Sequence, residues 1–277
     1  MTLDELILHA LNEDVGEGDH TTLATVPEGA TGKVKMMAKQ QGILSGVEVA
    51  QKVFKMLDPA TKITVLIDDG QPINYGDIIM TIEGKSRILL TGERLALNFI
   101  QRMSGIATNT HGLVEKIKGT KTVLLDTRKT TPCNRIVEKM AVKHGGAENH
   151  RFGLFDMIMI KDNHVDFAGG IKEAILAVQH YLKVNGKNLK IELEVRNFDE
   201  LKEALETGGI HRIMLDNFTP EEIKQALKLI KGRYETEASG GITEKNIRDY
   251  ARTGVDFISV GALTHQIKSL DISIVTI

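Results

Sequence analysis

The chain has 277 residues, with 35 Lys and Arg against 37 Asp and Glu, 42% hydrophobic and 26% charged residues, which is ordinary globular composition and excludes a disordered or collagenous chain. A net charge of −2 gives no general attraction to nucleic acid, and the single cysteine, Cys133, has no partner for a disulfide within the chain. Apolar stretches such as Ile63 to Ile67 are too short to span a bilayer and the start, Met1-Thr-Leu-Asp-Glu, lacks the basic and apolar regions of a signal peptide, so the expected location is the cytoplasm.

Over roughly the first 110 residues, short alternating strands mix with helices. Lys33 to Gln40 reads as a strand, because Val34, Met36 and Ala38 alternate with other positions. Val47 to Leu57 reads as a helix with Ala50, Val53, Phe54 and Leu57 on one face. Ile63 to Ile67 and Asp77 to Glu83 read as strands around a segment dense in turn residues, Asp68 to Gly76. This hairpin has the outline of a lipoate or biotin carrier, but the modifiable lysine in a tight turn is absent. A long amphipathic helix from Arg87 to about Lys118 follows, with Leu90, Leu95, Leu97, Ile100 and Met103 among its apolar residues.

From Thr122 the pattern changes to short apolar runs alternating with helices, the signature of βα units around a parallel sheet. Strands are expected at Thr122 to Leu125, Met157 to Ile160, Lys190 to Val195, Arg212 to Leu215, Thr236 to Ala238 and Phe257 to Val260. Helices are expected at Gly170 to Lys183, Phe198 to Glu206, Glu221 to Lys231 after Thr219-Pro220, and Glu244 to Arg252 after Thr243. Six strands make an incomplete barrel.

The functional signal lies in what ends each strand: Asp126-Thr-Arg128-Lys129, Lys161-Asp-Asn-His164, Glu192 and Glu194, Asp216-Asn217, Ser239-Gly240-Gly241 and Gly261-Ala262. In an α/β barrel these ends share one face, and that face carries the active site. Basic residues are concentrated between Arg128 and His164, which points to a small anionic ligand. Arg128, Lys129, His150, Arg151 and Lys161 are its candidate ligands, since arginine grips carboxylate or phosphate through two hydrogen bonds and lysine supplies a point charge. The pair His150-Arg151 reads equally as structural, and Lys139 and Lys143, four apart on a helix, read as a solvated face. Glu194 and Asp216 suit either Mg²⁺ and ribose hydroxyls or a structural network with the lysines. The glycine turns at Ser239 to Gly241 and Gly261 lie where this architecture commonly holds phosphate. Cys133 reads as a packed thiol rather than a nucleophile, zinc spacings are missing, and 4% aromatic residues with no Trp argue against stacking on single-stranded nucleic acid.

Taken together, Asp126-Thr-Arg-Lys-Thr-Thr-Pro132, Gly145-Gly-Ala-Glu-Asn-His-Arg151, Ile160-Lys-Asp-Asn-His164, Glu192-Leu-Glu194, Leu215-Asp-Asn-Phe218 and Ala238-Ser-Gly-Gly-Ile242 resemble the quinolinate phosphoribosyltransferase family. Glu13 to Thr22 and Glu93 to Thr108 are similar to it as well, so the match runs nearly end to end. The resemblance implies an N-terminal α/β sandwich domain, residues 1–110 rejoined by 265–277, and an open TIM-like α/β barrel, residues 111–264, of type II phosphoribosyltransferase kind. It implies transfer of the 5-phosphoribosyl group of phosphoribosyl pyrophosphate to quinolinate with decarboxylation, giving nicotinate mononucleotide, CO₂ and pyrophosphate. By that similarity Arg128, His150 and Arg151 hold the quinolinate carboxylates, with Arg102 reaching across from a second subunit. Lys129 and Lys161 attend the phosphoribosyl pyrophosphate, Glu194 and Asp216 the ribose hydroxyls and Mg²⁺, directly or indirectly, and Ser239, Gly240, Gly241 and Gly261 the 5′-phosphate. An obligatory homodimer follows, or a hexamer built from such dimers.

Two positions depart from the family pattern. Cys133 and Ala147 stand where glycine is usual, and a side chain restricts φ, so the loop after Pro132 is expected to be shaped differently. The competing readings are a related phosphoribosyltransferase acting on another base and a non-catalytic sensor of a phosphorylated ligand; the retained Glu194, Asp216 and Lys161 argue against the sensor.

Overall fold

A computed structural model describes residues 1–277. A reciprocal capping box between Thr2 and Glu5 starts α1 (Leu3–Val15), and the Asp19 side chain caps α2 (His20–Thr25). In β1 (Thr31–Ala38) the alternation reads out directly, with Val34, Met36 and Ala38 buried on one face. After β2 (Gly42–Ile43), α3 (Val47–Leu57) buries Val49, Ala50, Val53 and Phe54. Its first turn is capped from a distance: Asp69 Oδ1 accepts the N–H groups of Gly46 and Val47 at 2.6 and 2.9 Å, placing a negative charge at the positive end of the helix. β3 (Lys62–Val65), β4 (Pro72–Ile73) and β5 (Ile78–Lys85) lead into α4 (Ser86–Ile117), a helix of 32 residues.

The second half runs β6 (Val123–Leu125), α5 (Arg135–His144), β7 (Ile158–Ile160), α6 (Asp162–Ala168), α7 (Ile171–Val184), β8 (Ile191–Val195), α8 (Phe198–Thr207), β9 (Arg212–Asp216), α9 (Pro220–Ile230), β10 (Glu235–Ser239), α10 (Ile247–Ala251), β11 (Phe257–Ser259), α11 (Ala262–His265) and β12 (Ile272–Thr276). Thr219 and Glu222 form the capping box of α9, with Pro220 in its first turn. The helix expected at Glu244 to Arg252 is shorter, because Asn246 Oδ1 accepts the Thr243 N–H at 2.7 Å and holds that stretch as a turn, leaving Asn246 as N-cap.

The chain divides into two compact units. The first holds residues 1–112, 129–147 and 262–277, built on a four-stranded sheet in the order β12-β1-β5-β3. Its strands are antiparallel, and the C-terminal β12 lies beside β1 in the register Val34↔Thr276 to Ala38↔Ile272. The second holds residues 113–128 and 148–261, with one parallel sheet in the order β6-β11-β10-β9-β8-β7. Since β6 and β7 are its edges, this is an open α/β barrel of six strands. The outer bounds shift only to 113 and 261, and the division differs from the expected 111–264 barrel mainly in that residues 129–147 group with the first unit. The cause is the close packing of α5 on α4, where a Cβ on Gly145 would come 2.6 Å from Ala107 O and 2.5 Å from Thr110 Cβ. No helix is long and apolar enough to cross a membrane.

Gly105 of α4 makes the closest approach to a backbone atom: a Cβ there would lie 2.3 Å from the carbonyl oxygen of Lys268, which has no rotamer by which to retreat. Gly105→Ala is therefore expected to lower stability by roughly 1–3 kcal/mol through overpacking, measured as the midpoint of chemical unfolding, while Gly112→Ala in the same helix, where nothing lies within 4 Å, is expected not to.

Candidate active site

Side chains alternate along each strand of the second unit, so one set points into the barrel in layers. On β8 that set includes Glu192 and Glu194, on β9 Arg212 and Asp216, and on β10 Glu235, Glu237 and Ser239. Lower in the barrel, Arg212 pairs with Glu237 at 3.0 Å and with Glu235 at 3.1 Å. Both Glu192 and Glu237 are wholly buried. His150 drops into the same layer: its Nε2 lies 3.0 Å from Glu192 Oε2 and 3.4 Å from Glu237 Oε2, charge contacts at close range without the alignment of a hydrogen bond.

These groups set one another's charge. Burial disfavours an imidazolium, but the two carboxylates outweigh it and raise the His150 pKa to about 9. Burial and the Glu237 charge push Glu192 up to about 7, while Glu237, which burial also opposes, is held below the usual carboxylate range chiefly by His150. At Nδ1 the demand is opposite, because the Arg151 N–H donates there at 2.7 Å and needs a lone pair. Nε2 is thus the protonated nitrogen in both charge states, and gaining the second proton costs the Arg151 contact. Two carboxylates at these distances outweigh one neutral hydrogen bond, so the charged ring is the state at neutral pH. The backbone of His150 is fixed independently, by its N–H to the buried Asp126 Oδ1 at 2.8 Å.

Above this layer the charge reverses. Arg151 is half-buried, and its pKa is lowered by burial and then by the positive charge of Arg128. Arg128 is exposed and makes no ion pair. Two guanidinium groups close enough to oppose each other leave a demand for an anion that Glu192 and Asp156, which act on Arg151 in the opposite sense, do not fully meet. At the neighbouring strand ends Lys161 Nζ lies 4.0 Å from Glu194 Oε2. The Glu194 pKa is raised by burial and by the charge of Asp216, a repulsion that a cation would relieve; two carboxylates at the barrel mouth are a donor set suited to Mg²⁺. Asp216 Oδ2 accepts from Asn217 Nδ2 at 2.6 Å. Beside it, Gly240 and Gly241 have φ of +88° and +63°, and a Cβ on Gly240 would come 2.2 Å from Asn217 Oδ1. Only glycine fits that turn, which leaves Ser239 and Gly240 half-buried next to Asp216. Gly261 follows β11.

The second unit thus carries Arg128, Lys161, Glu194, Asp216, Ser239, Gly240, Gly241 and Gly261 at strand ends, and His150 and Arg151 on the segment that precedes β7. Lys129 and Arg102 belong to the first unit. Lys129 is exposed, and its carbonyl accepts from Thr264 Oγ1 at 2.8 Å. Arg102 is bound to Glu138 of its own chain at 2.6 Å. Lys139 corrects the solvated-face reading: it is 2% exposed, and only Lys143 is open. Cys133 takes φ +64°, a left-handed conformation that glycine adopts without strain. The roles of Glu237, Arg212 and Glu138 escaped the sequence; acidic residues at inward positions of a buried strand were the available signal.

The chain matches the family model "Quinolinate phosphoribosyl transferase, C-terminal domain" over residues 106–275 and the N-terminal domain model of the same family over residues 19–104. It is 41% identical to quinolinate phosphoribosyltransferase [decarboxylating] 1b of Nicotiana tabacum, over 98% of this chain and 81% of that one. Among solved structures it is similar to NadC from Streptococcus pyogenes, with TM-score 0.93, 39% identity and coverage of 99% and 97% of the two chains. The nicotinate-nucleotide pyrophosphorylase from Francisella tularensis gives TM-score 0.91 and 41% identity, covering 99% and 96%. The chain belongs to the quinolinate phosphoribosyl transferase family.

Proposed function

We infer that the protein transfers the 5-phosphoribosyl group of phosphoribosyl pyrophosphate to the ring nitrogen of quinolinate, with loss of the 2-carboxylate as CO₂, giving nicotinate mononucleotide and pyrophosphate for de novo NAD biosynthesis. The observation that carries this reading, beside the family, is the unpaired Arg128 set against half-buried Arg151 over a His150 kept cationic by Glu192 and Glu237. Two guanidinium groups at the rim over a buried imidazolium match a ligand with two adjacent carboxylates, which a monocarboxylate such as nicotinate would satisfy only in part.

In this reading Arg128, His150 and Arg151 clamp quinolinate, and Arg102 of the partner subunit completes the clamp in a homodimer. Lys129 and Lys161 bind the phosphoribosyl pyrophosphate, and the turn Ser239 to Gly241, with Gly261, receives its 5′-phosphate. Glu194 and Asp216 hold the ribose hydroxyls and would hold Mg²⁺, which when bound supplies charge neutralisation to pyrophosphate. Breaking the anomeric C–O bond places positive charge on the ribose, and the Glu194 carboxylate at the barrel mouth stabilises it. Once the ring nitrogen is ribosylated, the pyridinium accepts the electron pair left by the departing CO₂.

Purified protein with Mg²⁺ and phosphoribosyl pyrophosphate is expected to form nicotinate mononucleotide from quinolinate and not from nicotinate, scored by chromatography. Product from nicotinate alone would overturn the dicarboxylate clamp, and product from neither would return weight to another base or to a sensor. Arg128→Ala is expected to abolish quinolinate binding in calorimetry; near-normal affinity would remove Arg128 from the clamp. The His150 pKa, raised from 6.5 to about 9, sets the pH dependence: the cation persists below that value and is lost as pH rises through it. The KM for quinolinate should therefore be level between about pH 7 and 8 and climb through about 9, and His150→Asn should remove that climb.

A further inference from the structure

Glu138 lies in α5 with its carboxylate wholly buried, a placement that is costly unless every lone pair is used. Here both oxygens are committed. Oε1 accepts Nε and Nη2 of Arg102 at 3.0 and 2.6 Å, and Oε2 accepts the backbone N–H of Thr131 at 3.2 Å. Arg102 Nη2 also reaches Thr131 Oγ1 at 2.8 Å and the Thr264 carbonyl at 3.4 Å. The Thr264 hydroxyl donates to the carbonyl of Lys129 at 2.8 Å. One buried carboxylate therefore ties α4, the 129–131 segment and α11 together.

The arginine in this cluster is not consumed by it. Its Nη1 donates to nothing, and its side chain stays 34% exposed while that of Glu138 is 0%. A purely structural ion pair in a packed core would use all three guanidinium nitrogens or bury both partners. This one grips the guanidinium along Nε and Nη2 and leaves the third nitrogen facing out, as expected of an arginine held ready for an external anion.

We propose that Glu138 is a positioning residue of the reaction: it fixes Arg102 so that the free Nη1 edge meets a quinolinate carboxylate bound in the partner subunit. This rests on the reading above, in which Arg102 completes a second copy's site. Glu138 touches no substrate and acts through Arg102. Glutamine in its place is isosteric but neutral, and its amide nitrogen would face the Thr131 N–H or the guanidinium, donor against donor.

The test is a double-mutant cycle on the intact homodimer, with the KM of each substrate and kcat measured separately. Glu138→Gln is expected to raise the KM for quinolinate about tenfold, the loss of one charge-assisted hydrogen bond, with kcat and the KM for phosphoribosyl pyrophosphate within about threefold of the parent. In an Arg102→Ala background the same substitution should change the quinolinate KM by less than about twofold, because the residue through which it acts is gone. Equal rises in both KM values, no rise in either, or full additivity with Arg102→Ala would overturn the proposal. If Arg102→Ala itself leaves the quinolinate KM unchanged, the shared-arginine reading fails and takes the proposal with it; if Arg102→Ala raises that KM and Glu138→Gln does not, the proposal alone fails. Should Glu138→Gln not fold, Thr131→Val carries the test, since Thr131 is exposed and only its hydroxyl contact to Arg102 is lost. A rise of about threefold confined to quinolinate supports positioning, and an unchanged value overturns it.

Discussion

Glu192 and Glu237 carry their carboxylates inside a parallel sheet, where the sequence of a buried strand is otherwise apolar. Two such charges a few ångströms apart repel by about 4 kcal/mol even at an effective dielectric near 20, so neither can be ionised there without cations of matching geometry. Strand register supplies one of them: Glu192 pairs with Arg212 across β8 and β9, and Arg212 with Glu235 across β9 and β10. A slip of one residue would turn every one of these side chains to the other face, so the charge layer and the sheet register specify each other. His150 is the second cation, and it comes from outside the regular strands, on a segment held to β6 through Asp126 and the Glu148 N–H to Leu124 O at 2.9 Å.

From that layer the character of the rim follows. A chain of net charge −2 cannot attract dianionic substrates by its overall field, so the attraction has to be local. An acidic layer in the interior keeps His150 charged and lets Arg151 and Arg128 face outward without ionic partners of their own. The repulsion between them is present in the free protein, and an anion bound there would relieve it, which would put the electrostatic gain where binding needs it. Glu194 and Asp216 form the complementary half: the Glu194 pKa is raised by burial and then by the Asp216 charge, a repulsion that positive charge between them would relieve. A single barrel end thus places cationic side chains at β6 and β7 and carboxylates at β8 and β9, with Lys161 and Glu194 4.0 Å apart where the two meet.

Much of this was legible in the chain because period and position coincide in a βα repeat. Apolar runs located six strands, and charged residues at the ends of such runs marked the candidate site. The quoted motifs, read as a resemblance, supplied the chemistry. What escaped had other causes. α1 was not noticed because its signal is the Thr2–Glu5 capping box rather than a long apolar stripe. The grouping of residues 129–147 with the first unit escaped because it depends on Gly145 fitting beneath α4, a contact between segments distant in sequence. Lys139 looked solvated because i, i+4 spacing gives a shared face but not which face is covered. Glu237 sits in a run, Thr236 to Ala238, whose polar member reads as noise until Arg212 is placed beside it.

The loop after Pro132 shows why a glycine pattern and a backbone conformation are different kinds of information. Cys133 adopts the left-handed φ that glycine adopts freely, at a cost of roughly 1–2 kcal/mol for an L-residue, so the loop shape is imposed from outside the residue. Its neighbours supply the force: the Asn134 N–H donates to Thr131 O at 3.1 Å, Arg135 Nε donates to Thr130 Oγ1 at 3.0 Å, and Glu138 takes the Thr131 N–H. Ala147 makes the contrast, since it is buried with negative φ and pays no such strain. A side chain at one position is tolerated because the backbone there never needed glycine; at the other, because three hydrogen bonds hold the turn that glycine would otherwise have made easy.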